Sequence, residues 1–169
     1  MACTDLRSEL EKLADQIIEL VDTFLIPNNA VIVYDIDNTL IDEFGRPLEP
    51  IIRTYNYIKL KGITPVIISS RTGIPEVIDY TIKQLHDIGI EGYKYLYLRP
   101  EDKYDVTRFK LMARKDIHDR GQYVIMSLGD QPWDYGKFGG MGIQIPTCNH
   151  SFRNAVNTKM LNFVDCSEV

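Results

Sequence analysis

The feature that most limits the fold of this chain is an alternation. Short, continuously apolar runs are each followed by a longer stretch of helical period. Residues 31–36 (VIVYDI), 64–69 (TPVIIS), 93–98 (YKYLYL), 122–128 (QYVIMSL) and 142–145 read as five strands. Between them, residues 47–61, 75–88 and 105–120 carry helical periodicity and are closed by Gly62, Gly89 and Gly121. Strands that are apolar throughout must be covered on both faces, and helical connections of 10–16 residues suit parallel crossovers. The pattern predicts an α/β domain over residues 29–169, built on a doubly wound, Rossmann-like parallel sheet. Residues 1–28 precede it as an amphipathic helix, with Leu6, Leu10, Leu13, Ile17, Leu20 and Phe24 on one stripe. That stripe fits packing onto its own domain better than a coiled-coil seam, because it spans fewer than three heptads. The seam reading would make the protein a homodimer.

Composition narrows the function classes. A chain of 169 residues has room for one self-sufficient core. Its net charge of −5 is mixed along the sequence, which disfavours nucleic acid as a partner but leaves small anions open. The three cysteines (Cys3, Cys148 and Cys166) have no metal-type spacing and predict reduced thiols. MACTDLRSEL has no apolar core of a signal peptide, and no run approaches the length of a membrane span. A cytoplasmic protein with no membrane partner is expected.

In open α/β sheets, ligands bind beyond the carboxyl ends of the strands, so the residues that end each strand carry the functional signal. The first strand ends in Asp35-Ile36-Asp37-Asn38-Thr39, the second in Ser69-Ser70-Arg71-Thr72, and the fourth in Gly129-Asp130-Gln131-Pro132-Trp133-Asp134. Asp and Ser are common caps and turn formers, but capping alone does not explain agreement at three strand ends. Four carboxylates gathered at one edge repel each other unless a cation joins them, and hard oxygen donors suit Mg²⁺. Asp35 and Asp37, two residues apart, point to the same side of an extended segment, so one can act as nucleophile while the other handles the proton. Mg²⁺, the Ser69 hydroxyl and a lysine would surround a transferring phosphoryl group. There is no P-loop, zinc site or Ser-His-Asp arrangement.

These residues resemble a known family. DIDNTL at 35–40 is similar to the first signature of the haloacid dehalogenase superfamily, DxDx[TV]. IISS at 67–70 is similar to the second, and GDQPWD at 129–134 to the fourth. More narrowly, the chain resembles the class III (subfamily IIIB) acid phosphatases, the group that includes plant vegetative storage proteins. Their Ser-x-Arg is matched by Ser69-Ser70-Arg71, their Leu-Arg by Leu98-Arg99, and their aromatic-Lys by Phe109-Lys110, twenty residues before Asp130. The resemblance covers roughly residues 30–150. It departs from the family pattern at Pro132, which separates GDQ from Trp133, and in lacking the signal peptide of the secreted relatives.

The resemblance implies roles. Asp35 would attack phosphorus and form an aspartyl-phosphate, and Asp37 would protonate the leaving oxygen and later activate water. Mg²⁺ would be held by the Asp35 carboxylate, the Asp37 backbone carbonyl, Asp130 and Asp134. The transferring phosphate would meet Ser69, Ser70, Arg71 and Lys110; among Lys103, Lys110 and Lys115, spacing favours Lys110. Arg71 and Arg99 would either reach phosphate or pair with carboxylates, and His86, His118 and His150 have bland explanations at helix ends or the surface. Thr39 and Ser69 are 30 positions apart and Ser69 and Lys110 are 41, too close for an inserted cap domain. The site is therefore expected to be capless, with the loop 41–50 (IDEFGRPLEP) as its only lid and Gly45 as hinge. The expected function is hydrolysis of small phosphorylated substrates such as nucleotides. The alternatives are a phosphatase of nucleic-acid ends or phosphoproteins, and a non-catalytic storage or binding protein.

Overall fold

The structure, a computed structural model, describes residues 3–101, 104–148 and 163–164, the first two and last two of these as backbone only. The elements run α1 (Cys3–Thr23), β1 (Ala30–Tyr34), α2 (Glu49–Leu60), β2 (Thr64–Thr72), α3 (Pro75–Asp87), β3 (Leu96–Arg99), α4 (Val106–Asp119), β4 (Tyr123–Gly129), β5 (Met141–Gln144) and β6 (Phe163–Val164). Pro50 and Pro75 stand in the first turns of α2 and α3, where a missing N–H costs nothing. Asp105 caps α4 by accepting from the Arg108 N–H at 2.7 Å.

The sheet order is β3-β2-β1-β4-β5-β6. The pairs β1–β2, β1–β4, β2–β3 and β4–β5 are parallel, so five parallel strands form the doubly wound sheet. The two-residue β6 adds an antiparallel edge that the sequence pattern does not announce. The order reverses at β1, which places the ligand crevice between the carboxyl ends of β1 and β4.

Every residue of β1 is buried, and successive side chains feed opposite layers. Ile32 and Tyr34 pack with Leu13 and Ile17 of α1 and with Ile51, Tyr55 and Ile58 of α2. Val31 and Val33 pack with Phe109, Ala113 and Ile117 of α4. The stripe on α1 is thus largely consumed within the chain, although Phe24 and Leu25 just beyond the helix stay exposed. In β4, Val124 and Met126 share parity yet face opposite layers, because a bulge at Ile125 shifts the register between Val31 and Ile32. Gly140, at φ 64°, lies against this bulge, where a Cβ would overlap the Ile125 backbone.

Several boundaries differ from the sequence pattern. β1 stops at Tyr34 because the Ile36 carbonyl turns the chain, accepting from Leu40 at 2.8 Å and from Thr39 at 3.1 Å. β2 continues past Ser69 to Thr72, with a register irregularity between Ser69 and Thr72 opposite β3. β3 begins at Leu96 rather than residue 93, since Lys94 and Tyr95 reach the neighbouring strand only through single hydrogen bonds. The β1–α2 connection is residues 35–48 and the β2–α3 connection residues 73–74, and neither holds a cap.

Cys148 is disulfide-bonded, against the expectation of three reduced thiols. Linear spacing cannot reveal a pairing that depends on how the fold approximates distant segments. Cys148 shares a wall with Leu6, Arg7 and Leu10 of α1. The side chains of Cys3 and Cys166 lie outside the described residues, as do Lys103 and His150. No helix among the described residues is long and apolar enough to cross a membrane.

Candidate active site

The site begins where β1 and β4 end side by side. The Asp35 N–H still donates to the Leu128 carbonyl at 3.0 Å, so Asp35 is fixed by the sheet while its side chain leaves it. Asp130 follows the end of β4, and a 3₁₀ turn over Pro132–Asp134 returns Asp134 to the same spot. Pro132 occupies the first turn of that helix, where proline is favoured, so the inserted residue does not disturb the return. The Asp134 carboxylate accepts from the Gln131 N–H at 3.0 Å and lies directly over Gly129, where a Cβ would overlap it.

Asp35, Asp130 and Asp134 are all buried, and one carboxylate oxygen of each lies within 4.8 Å of the others. Lys110 rises from α4 into this cluster, 2% exposed. Its ammonium is 2.8 Å from Asp35 Oδ1 and 2.7 Å from Asp134 Oδ1, and it donates to the Ile68 carbonyl at 2.6 Å. Two of its protons are committed to Asp35 and Ile68, while Asp134 Oδ1 meets the ammonium as an ion pair and has no hydrogen-bond donor of its own. Burial pushes the Asp35 carboxyl up to about 7, against the pull of Lys110 and with the charges of Asp134 and Asp130 adding to it. Burial pulls the Lys110 ammonium down, but Asp35 and Asp134 more than reverse this and hold it charged. The buried Tyr135 hydroxyl, which donates to the Gly129 carbonyl at 2.8 Å, is pushed far up by burial and by the same carboxylates.

Lys110, and Arg114 lining the same small void, bring two positive charges against three buried carboxylates. Buried charge in low dielectric is costly unless paired, so this cluster calls for further positive charge. Three convergent carboxylates are a hard-oxygen donor set of the kind that takes a divalent cation. The residues present therefore fit a metal ion.

Asp37 lies outside the cluster. Its side chain is 50% exposed and held from both oxygens by Arg71, with Nε to Oδ2 at 2.9 Å and a terminal nitrogen to Oδ1 at 2.8 Å. Arg71 also donates to Thr81 Oγ1 at 3.2 Å. The irregular register after Ser69 is what re-aims this side chain. Ser69 is buried, and its hydroxyl accepts from the Arg71 N–H at 3.2 Å. Ser70 contributes its carbonyl to Arg99, which also donates to the Tyr104 carbonyl. Arg99 is thereby a tie between backbone segments. The loop 41–50 is cross-braced by Asp42, whose Oδ1 accepts from the Phe44 and Arg46 N–H groups at 2.9 Å each, leaving Phe44 exposed at the tip.

Among the described residues the structure thus gathers Asp35, Asp130, Asp134 and Lys110 into one buried cluster and sets Asp37, Arg71 and Ser69 on its rim. Lys115 instead pairs with Asp119 on the surface. Sequence reasoning missed Gly129, Tyr135 and Arg114 around the acidic loop. The Gly-Asp pair and the spacing of four between Lys110 and Arg114, which puts both on one helix face, were the available signals.

The comparisons with known proteins bear on this geometry. A family model described as HAD superfamily, subfamily IIIB (acid phosphatase), matches residues 45–153, more than half of the chain. The chain belongs to that family. The matched span begins after Asp35 and Asp37, so the first motif stands on its own sequence and on the cluster it forms. Among solved structures, the class C acid phosphatase from Bacillus anthracis is similar in fold, with a TM-score of 0.62 at 18% identity. The alignment covers 78% of this chain and 65% of that one, so the chain spans somewhat less than two thirds of its structural relative. No curated protein sequence matches it.

Proposed function

We propose that this protein is a phosphomonoester hydrolase that works through an aspartyl-phosphate on Asp35. The observation that carries the reading is the buried cluster of Asp35, Asp130 and Asp134 around Lys110 at the reversal of strand order, in a chain of the acid phosphatase family. A Mg²⁺ ion held by Asp35, Asp130 and Asp134, with the Asp37 carbonyl as a further donor, would supply the missing positive charge and draw the ester's phosphate toward the nucleophile.

The protein's own groups account for the rest. One oxygen of Asp35 is tied to Lys110, which orients the carboxylate and keeps it fixed by the sheet. The other oxygen is the one available to attack phosphorus. Lys110, held charged by Asp35 and Asp134, stabilises negative charge that develops next to it. Ser69 supplies a hydroxyl at the same edge. Asp37 sits on the open side, where the leaving oxygen would depart, and would give it a proton and then take one from water. Arg71 holds Asp37 in place and would offer a guanidinium to a phosphate oxygen. With no cap over the crevice among the described residues, small phosphate esters, nucleotides among them, would enter from solvent.

Hydrolysis of a chromogenic phosphate ester with and without Mg²⁺ tests this. Wild-type protein should release phosphate with Mg²⁺ and lose that activity in EDTA, and Asp35→Asn should be folded and inactive. Equal activity in Asp35→Asn would remove Asp35 as nucleophile, and an inert wild type would remove the enzyme reading.

A further inference from the structure

Arg114 is 1% exposed and is among the largest fully buried side chains in the protein. An arginine is rarely buried without a defined set of acceptors. Its guanidinium donates from Nε to the Lys137 carbonyl at 3.1 Å and from a terminal nitrogen to the Trp133 carbonyl at 3.0 Å. These two carbonyls bracket the segment that carries Asp134. Arg114 lies one helical turn after Lys110 on α4 and lines the same small void as Asp35, Lys110 and Asp134.

The loop it holds is not an intrinsically favoured one. Phe138 has φ 64°, a left-handed conformation that a bulky residue adopts only when its surroundings impose it. Ser127 donates to the Gly139 carbonyl at 2.8 Å from the β4 side, and a Cβ at Gly139 would press on both Arg114 and Ser127. The acidic loop is thus clamped between one helix side chain and one strand side chain. The helix that supplies Lys110 to the carboxylates also fixes the backbone on either side of Asp134.

We propose that Arg114 is a positioning residue for the divalent-cation site. It sets cation affinity by holding the Trp133–Lys137 backbone so that Asp134 stays over Gly129 beside Lys110. This rests on the phosphatase reading above, in which the cluster binds Mg²⁺.

The test uses Arg114→Lys, which keeps a cation on the same stem, and Arg114→Met, which keeps apolar volume only. Arg108→Lys, an exposed arginine on the same helix, is the control. Mg²⁺ affinity is measured directly by calorimetric titration at a temperature where every variant is folded by circular dichroism. Emission from Trp133, the only tryptophan, reports the loop. Loss of a residue that orients metal ligands costs about 10–100-fold in affinity. Arg114→Met should therefore weaken Mg²⁺ binding by about tenfold or more, with a smaller loss in Arg114→Lys and none in Arg108→Lys. Turnover in the Arg114 variants should recover as Mg²⁺ is raised to saturation. A purely structural arginine would lower the melting temperature and leave Mg²⁺ affinity unchanged, and that result overturns the proposal. So does lost turnover that saturating Mg²⁺ fails to restore. If Arg114→Met does not fold, Arg114→Lys with wild-type affinity is the overturning result. Absence of Mg²⁺ binding by the wild type itself would instead defeat the metal reading, and this proposal with it.

Discussion

Lys110→Met removes a buried ammonium while keeping most of its volume in a flexible apolar chain, so cavity effects are small. What is lost is charge. Two carboxylates at 2.8 and 2.7 Å lose their shared counter-charge, and a carbonyl at 2.6 Å loses its donor. Breaking a buried ion pair from one side costs about 3–5 kcal/mol, because the remaining charge is stranded. For a chain of this size that corresponds to a fall of about 6–20 °C in melting temperature, at roughly 2–4 °C per kcal/mol. The pH dependence has a fixed sign. Asp35 already sits at about 7 with Lys110 present, and removing the ammonium raises it further. At pH 8 the stranded carboxylates must stay charged or take up a proton at a cost. At pH 5 Asp35 is protonated, and the penalty shrinks. Thermal melts of wild type and variant at pH 5 and pH 8, each with and without Mg²⁺, read all of this. The largest gap belongs at pH 8 without cation, narrowed when Mg²⁺ replaces the missing charge. Turnover should fall about a hundredfold or more even at saturating Mg²⁺, the scale of losing one preorganised donor. A variant that melts within about 2 °C of wild type at pH 8 without cation, against the expected scale, would show that Lys110 does not neutralise the cluster.

Gly129→Ala would push a methyl group into the Asp134 side chain, which is held on both oxygens by Gln131 and Lys110. It should lose about 1–3 kcal/mol by overpacking and weaken Mg²⁺ binding in the same calorimetric titration; unchanged affinity would mean that Asp134 is free to move. Because the Asp35 carboxyl is raised from 3.8 to about 7, the metal-free folded state binds more protons than the unfolded one between those values, and its stability falls as pH rises through that window. Mg²⁺ needs the ionised carboxylate, so its rise in melting temperature should be larger at pH 8 than at pH 5, and an equal rise at both would contradict the assigned ligand. Thiol titration of the denatured, unreduced protein should find one reactive cysteine of the three if the Cys148 disulfide forms, and three if all are reduced.

Much of this site can be read from the chain because residue types at strand ends are local. Continuous apolar runs require a covered parallel sheet, and a parallel sheet gathers Asp35, Ser69 and Asp130 at one edge whatever the loops do. Lys110 followed only from the resemblance, whose aromatic-Lys pair stands before the acidic motif at the spacing that Phe109-Lys110 keeps before Asp130. What stayed hidden depends on irregularities. The reach of Arg71 to Asp37 needs the register break after Ser69. The opposite facing of Val124 and Met126 needs the bulge at Ile125. The need for glycine at position 129 arises only once Asp134 has folded back over it. Arg114 was not singled out in the sequence, because its carbonyl acceptors belong to a loop whose path the sequence does not specify. The disulfide of Cys148 is equally a property of the folded chain rather than of its cysteine spacing.

The central claim, a covalent phosphoryl group on Asp35, is tested most directly by rapid acid quench of the protein during turnover of a phosphate ester with Mg²⁺, followed by peptide mass spectrometry. The account predicts a phosphate adduct on the peptide containing Asp35 that is labile to hydroxylamine, appears within the first turnover, and is absent from Asp35→Asn. Steady hydrolysis with no adduct at any quench time, or an adduct confined to another residue, would contradict it.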